Sequence, residues 1–201
     1  MKWEKLTERD YVTTKWSGGT TTQLAIAPEG AVYADRNFLW RLSSARVEDE
    51  HSTFTPLPDY HRLISVREGE LKMKVGSAEA ENLDILQVLP FDGAVPVESW
   101  GKCTDFNLML RKGRCSGLLQ TFVLEGGSSL AFSFPVPENS AGAERTLALF
   151  CAEGELLLEK DGVRAASGEM LLSRDAENTP VDLSAKGSTA VIAAVIFTRN
   201  A

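Results

Sequence analysis

The chain has 201 residues, 43% of them hydrophobic and 24% charged, with a formal net charge of −7. That length holds one large domain or two small ones, and the excess of acids repels phosphate backbones and anionic lipid, which excludes nucleic acid and membranes as expected partners. Three widely spaced cysteines, Cys103, Cys115 and Cys151, form no CxxC pair. They read as free thiols of a cytoplasmic protein and not as a disulfide framework or zinc ribbon.

The first sixteen residues carry acids and lack an apolar core, so they read as neither a signal peptide nor a lipidation signal. A short edge strand is expected at Tyr11–Thr14. Lys15-Trp16-Ser17-Gly18-Gly19 then marks a turn before the β-branched run Thr20–Ile26 and the breaker Pro28-Glu29-Gly30. Strands are predicted at 37–47, 61–67, 70–75, 84–89, 94–99 and 103–111, separated by short clusters of Gly, Pro, Asn or Asp. Further strands follow at 117–124, 130–134, 145–152, 155–160, 168–173 and 188–198. Pro135–Ala143 reads as a linker, and no window of a dozen residues has helical periodicity. Ala190–Phe197, the longest apolar run, is too short to span a bilayer.

Glu68-Gly69-Glu70-Leu71 recurs as Glu153-Gly154-Glu155-Leu156, an offset of 85 (154 − 69). The same offset carries Asp84-Ile85-Leu86 onto Glu169-Met170-Leu171 and Asp105–Leu110 onto Ala190–Val195. Val95-Pro96-Val97 meets Thr179-Pro180-Val181 with a slip of one residue. Order and spacing kept over this many segments indicate a duplicated unit. Glycine-separated antiparallel strands of this kind suit a jelly-roll barrel, so the expected fold is all-β, a tandem cupin or bicupin. The expected domains are 1–125, a barrel with a ligand pocket, and 126–201, a structural barrel, with strands exchanged between them.

Within the first repeat, polar side chains stand in apolar strands. Arg41 and Ser43 share one strand face, with Trp40 on the other, and Asp105, Asn107 and Met109 share another. Arg62 begins the strand that continues through Ile64 and Val66. The matching strand Ala190–Phe197 of the second repeat has no such groups. Buried arginines need anionic or hydrogen-bonding company. Two readings follow: Arg41 or Arg62 pairs with Asp105 as a structural ion pair, or the arginines converge on a small anionic or carbonyl ligand that Asn107 and Ser43 orient. Trp16 and Trp40 would wall such a pocket or its base.

Other chemistries find little support. The only histidines, His51 and His61, are ten apart and the second repeat has none, short of the histidine set a cupin metal centre uses. His61 with Glu68 or Glu70 would make at most a partial site, and His61 is otherwise a pocket or surface residue. No Gly-x-Ser-x-Gly elbow occurs, and Gly126-Gly127-Ser128-Ser129 runs into Leu130. Gly101-Lys102 fails as a phosphate loop because Cys103 follows it and Pro96 stands where the first glycine belongs.

At Trp16-Ser17-Gly18-Gly19-Thr20, Phe38-Leu39-Trp40-Arg41 with Ser43 and Ala45, Phe54 with Pro56 and Pro58, Arg62, Gly69, and Asp105-Phe106-Asn107-Leu108-Met109, the sequence resembles the HutD/Ves family of bicupins. The resemblance covers the first 125 or so residues well and the second repeat in outline. It implies a cytoplasmic bicupin without a catalytic metal or other cofactor, linked to histidine utilisation or stress response. Such a protein would bind a small metabolite such as N-formylglutamate and act as a governor, without being a proven enzyme. Thr21-Thr22-Gln23 departs from the family's Thr-Arg-Glu, Phe54-Thr55 from its Phe-Ser, and Pro58-Asp59 from its Pro-Gly. The positions carried over as ligand-binding are therefore Arg41, Arg62 and Asn107, with Ser43, His61 and Trp16 beside them. The rival readings are a metal-dependent cupin isomerase or dioxygenase built on His61 and Glu70, and an interaction protein that dimerises through exposed sheet edges.

Overall fold

The computed structural model describes residues 1–137, 140 and 142–199. Part of the linker expected at Pro135–Ala143, positions 138, 139 and 141, lies outside the described residues. The chain is nearly all β, 59% strand and 4% helix. In chain order the strands are β1 (Glu4–Leu6), β2 (Val12–Trp16), β3 (Gly19–Ala27), β4 (Trp40–Val47), β5 (His51–Thr53), β6 (Tyr60–Gly69), β7 (Leu71–Val75), β8 (Glu81–Leu83), β9 (Val88–Asp92), β10 (Val97–Trp100) and β11 (Cys103–Arg111). They continue as β12 (Cys115–Leu124), β13 (Ser129–Phe132), β14 (Glu144–Glu153), β15 (Glu155–Leu158), β16 (Val163–Ala166), β17 (Met170–Ser173), β18 (Val181–Ala185) and β19 (Thr189–Thr198). Short 3-10 turns occur at Tyr33–Asp35 and Glu159–Asp161. No helix among the described residues is long and apolar enough to cross a membrane.

Two compact units divide the chain, Tyr11–Cys115 and a second made of Met1–Asp10 with Ser116–Ala201. In the first, a six-stranded sheet ordered β2-β3-β4-β11-β6-β9 packs on a four-stranded sheet ordered β5-β10-β7-β8. Their inward faces share one core cluster, in which Ile64, Val66 and Phe91 of the large sheet meet Leu71, Met73 and Val97 of the small one. In the second, β1-β17-β14-β19-β12 packs on β13-β18-β15-β16. There Leu147, Leu149 and Val195 meet Leu156, Leu183 and Phe132. β1 joins this unit by antiparallel pairing with β17, Glu4 opposite Leu172.

The duplication inferred from the sequence is written in the pairings. β6 pairs with β9 and β11, as β14 pairs with β17 and β19. β7 pairs with β8 and β10, as β15 pairs with β16 and β18. The β6–β7 and β14–β15 corners pass through Gly69 (φ +82) and Gly154 (φ +85), left-handed conformations that glycine adopts without a Cβ penalty. A Cβ at Gly69 would sit 2.2 Å from the Lys102 carbonyl oxygen, and one at Gly154 would sit 2.5 Å from that of Ser188. The repeated Glu-Gly-Glu-Leu is thus the sequence of one corner used twice. Each unit is a jelly-roll barrel, and the chain is a bicupin.

Local departures from the predicted strands have identifiable causes. The strand expected at 84–89 is instead mostly the connection between β8 and β9, which belong to different sheets of the first barrel. The chain crosses between them at Asp84–Gln87, where Leu86 takes φ +66, Gln87 N–H donates to the Asp84 carbonyl, and the Gln87 side chain accepts from Asp84 N–H. A positive φ at leucine carries no sequence signature. The expected alignment of Asp105 with Ala190 also moves by one residue. Val66 pairs with Asp105 while its counterpart Cys151 pairs with Val191, because β11 and β14 carry register shifts at Thr104/Asp105 and Cys151/Glu153.

Candidate functional site

The six-stranded sheet of the first barrel sets polar side chains in two adjacent cross-strand rows. In one, Ile26, Arg41, Met109 and Arg62 stand side by side on β3, β4, β11 and β6. In the next, Gln23, Ser43, Asn107 and Ile64 do the same. The two arginines therefore flank Met109, two strand spacings or about 10 Å apart at the backbone. The period-two alternation that turns Arg41 and Ser43 inward sends Trp40 to the opposite face, where it is buried away from the cavity.

These rows floor a cavity of about 270 Å³, lined among others by Arg41, Ser43, Arg62, Asp105, Asn107 and Met109. Trp16, 40% exposed at the end of β2, stands at its edge, and Tyr33, Phe54 and Thr55 close it from the loops. Arg41, Arg62, Asp105 and Asn107 are all buried.

Arg41 is held from two sides. Its Nε donates to Gln23 Oε1 at 2.9 Å and one terminal nitrogen to Ser43 Oγ at 3.2 Å, while its guanidinium carbon lies 4.2 Å from the centroid of the Tyr33 ring. Arg62 is held by aromatic faces. Its guanidinium carbon is 4.9 Å from the Phe54 centroid and 5.1 Å from that of Phe91, and its Nε donates to Asn107 Oδ1 at 3.4 Å. Neither terminal nitrogen of Arg62 has a hydrogen-bond acceptor among the described residues. Burial lowers both guanidinium pKa values, that of Arg62 to about 10, which leaves Arg62 cationic at neutral pH.

Asp105 is also buried, and burial pushes its carboxyl up to about 6 against the opposing pull of the Ala45 N–H and of Arg62, Arg67 and Arg41. Its Oδ1 accepts from Ala45 N–H at 3.1 Å, and its backbone carbonyl from Ser44 Oγ at 2.6 Å. Among the described residues it forms no salt bridge with Arg41 or Arg62. The structural ion pair read from the sequence as one alternative is therefore absent, because the bulge at Thr104/Asp105 turns the carboxylate onto the β4 backbone.

The expected residues Arg41, Ser43, Arg62, Asn107 and Trp16 all reach this cavity. His61 does not. It is exposed, on the opposite face of β6 from the buried Arg62, as alternation requires. Glu68 and Glu70 are exposed as well, so the proposed His61–glutamate pairing does not form a pocket ligand set. Among the described residues no three His, Cys, Asp or Glu side chains cluster where a metal could sit. The residues present do not fit a cupin metal centre. Burial drives the Cys103 thiol to about 12, an unreactive group.

Sequence reasoning gave no role to Tyr33, Gln23 and Phe91. Tyr33 lies in a loop turn without periodicity, and its ring receives both Arg41 and Arg36, the latter at 4.1 Å. Gln23 could have been found by its place on β3, since a polar side chain beside Leu24 and Ile26 marks a break in an apolar run.

Among the described residues the second barrel has no counterpart to these polar rows. By strand pairing Arg62, Asn107 and Asp105 correspond to Leu147, Ala193 and Val191, all core residues. This is a cupin-fold protein in which two cationic side chains line a cavity of one barrel, while the strands paired alike in the other are packed with hydrocarbon. The chain belongs to the HutD family, whose model matches residues 8–191. It is similar in structure to PA5104 of Pseudomonas aeruginosa PAO1, a conserved protein of unknown function, at 27% identity over 98% of this chain and 99% of that one (TM-score 0.78). HutD of Pseudomonas fluorescens SBW25, solved in a formate condition, matches at 23% over 99% and 100% (TM-score 0.76). Escherichia coli YhhW shares the fold at 10% identity over 100% and 99% (TM-score 0.70). No curated protein matches the sequence.

Proposed function

We propose that this bicupin is a small-metabolite-binding protein of regulatory type whose N-terminal barrel takes a carboxylate. The observation that carries this reading is Arg62: a buried cation whose terminal nitrogens find no acceptor among the described residues, facing a cavity shared with Arg41. Orienting two guanidinium groups into a desolvated space costs stability that a bound anion offsets. The volume lies just below the usual range of about 300–1,000 Å³ for ligand pockets, which favours a compact metabolite over a nucleotide or peptide. Formylated and free dicarboxylic amino acids combine the required charge and size, and a role in histidine utilisation accords with membership of the HutD family.

A thermal-shift screen of such acids tests the reading. Stabilisation by at least one of them at millimolar concentration supports it, and a flat response across the class contradicts it.

A further inference from the structure

The cavity is not uniformly basic. Beside the free donors of Arg62 and Arg41 stands one anionic acceptor, Oδ2 of Asp105. Oδ1 of that carboxylate is engaged by Ala45 N–H, whereas Oδ2 accepts no hydrogen bond among the described residues. Asp105 lines the cavity, and Oδ2 is not among the inaccessible polar atoms left without a partner, which leaves it for a ligand in that space. Asn107 spends its carbonyl on Arg62 Nε, and its amide donates to no acceptor among the described residues. The polar inventory facing a ligand is therefore several donors and one anionic acceptor.

From this we infer that Asp105 is a specificity-determining residue, which makes the pocket select a carboxylate ligand that also carries an N–H or ammonium group. The inference rests on the carboxylate reading above and narrows it. A plain dicarboxylate satisfies the guanidinium groups but sets its own charge or hydrocarbon against Asp105 Oδ2 in a desolvated site. Either arrangement leaves a buried anionic acceptor unpaired, which is the costly case in polar recognition. An amino acid or N-acyl amino acid places its nitrogen there as donor and satisfies both signs at once. Sulfate, which carries no proton at neutral pH and so brings no donor, falls in the rejected class.

The discriminating pair is L-glutamate against glutarate, with N-formyl-L-glutamate as a third probe; glutarate keeps both carboxylates and lacks only the nitrogen. In calorimetric titrations of the wild-type protein, at least one nitrogen-bearing acid binds about tenfold or more tighter than glutarate, the scale of one charge-assisted hydrogen bond. Asp105→Asn retains an acceptor for Ala45 N–H but turns an amide donor toward the ligand, and the preference for nitrogen shrinks to about threefold or less. Glutarate binding the wild type as tightly as its nitrogen-bearing analogues overturns the role of Asp105 while leaving the carboxylate reading standing. Failure of all three acids to bind the wild type contradicts the carboxylate reading itself. Should Asp105→Asn not fold, the wild-type comparison alone decides.

Discussion

Nε of Arg62 donates to Oδ1 of Asn107 across the β6–β11 pair at 3.4 Å, and this contact fixes which way the guanidinium faces. With Nε so engaged and Phe54 and Phe91 against the guanidinium, the terminal nitrogens are left for the cavity. Arg62→Ala is therefore expected to abolish ligand-induced stabilisation, a loss of about 100-fold or more in affinity if two charged hydrogen bonds go. Arg62→Lys restores the charge without the planar fork and recovers only part of it. Calorimetric titration of both variants checks the difference.

Gln23 bonds Arg41 without neutralising it, since its Oε1 is the acceptor for Arg41 Nε at 2.9 Å. Gln23→Glu puts a carboxylate at the same place and cancels part of the cavity's positive field. Affinity for an anionic ligand falls by about tenfold, roughly 1.4 kcal/mol, with the fold intact. Circular dichroism and titration on one sample separate the two effects.

Asp105 carries a stability cost at neutral pH. Its carboxyl, near 3.8 in the unfolded chain, is raised to about 6 in the fold, so the fold prefers the protonated form. Below about pH 3.8 this penalty is absent; it grows as pH rises and is complete above about 6, reaching at most about 3 kcal/mol. Asp105→Asn should thus unfold at a higher temperature than wild type at pH 7.5 in the absence of ligand. The gap should narrow as pH falls from 6 toward 4, as scanning calorimetry at several pH values will show. A residue kept at such cost in a cavity wall is where function and stability part company.

Much of this was legible from the chain itself. The Glu-Gly-Glu-Leu repeat exposed the duplication because the corner at Gly69 and Gly154 demands a left-handed glycine in both barrels. Arg41, Ser43, Asp105 and Asn107 announced themselves by alternation within apolar strands. Tyr33, Phe91 and the direction taken by the Asp105 carboxylate were not legible, since they depend on a loop turn, on sheet neighbours and on a bulge. His61, read as a pocket or surface residue, stands on the surface beside the buried Arg62, because a shift of one residue along a strand reverses the face.

The two corner glycines give a test of the duplication that is independent of any ligand. Gly69→Ala and Gly154→Ala each place a Cβ against a carbonyl oxygen at positive φ. Each should cost at least about 2 kcal/mol, from left-handed backbone strain and the clash together. Chemical denaturation of the two variants measures it.

His61→Ala removes an exposed side chain on the outer face of β6 and should leave both stability and ligand affinity within about 0.5 kcal/mol of wild type. A loss of binding in that variant would revive the histidine-centred alternative.

The central claim is that the guanidinium groups of Arg41 and Arg62 jointly receive a carboxylate inside the first barrel. A crystal structure grown with saturating L-glutamate or N-formyl-L-glutamate tests it most directly. The account predicts a carboxylate within hydrogen-bond distance of both side chains and a second barrel without ligand. A ligand seated elsewhere, or in the cavity but touching neither arginine, would contradict it.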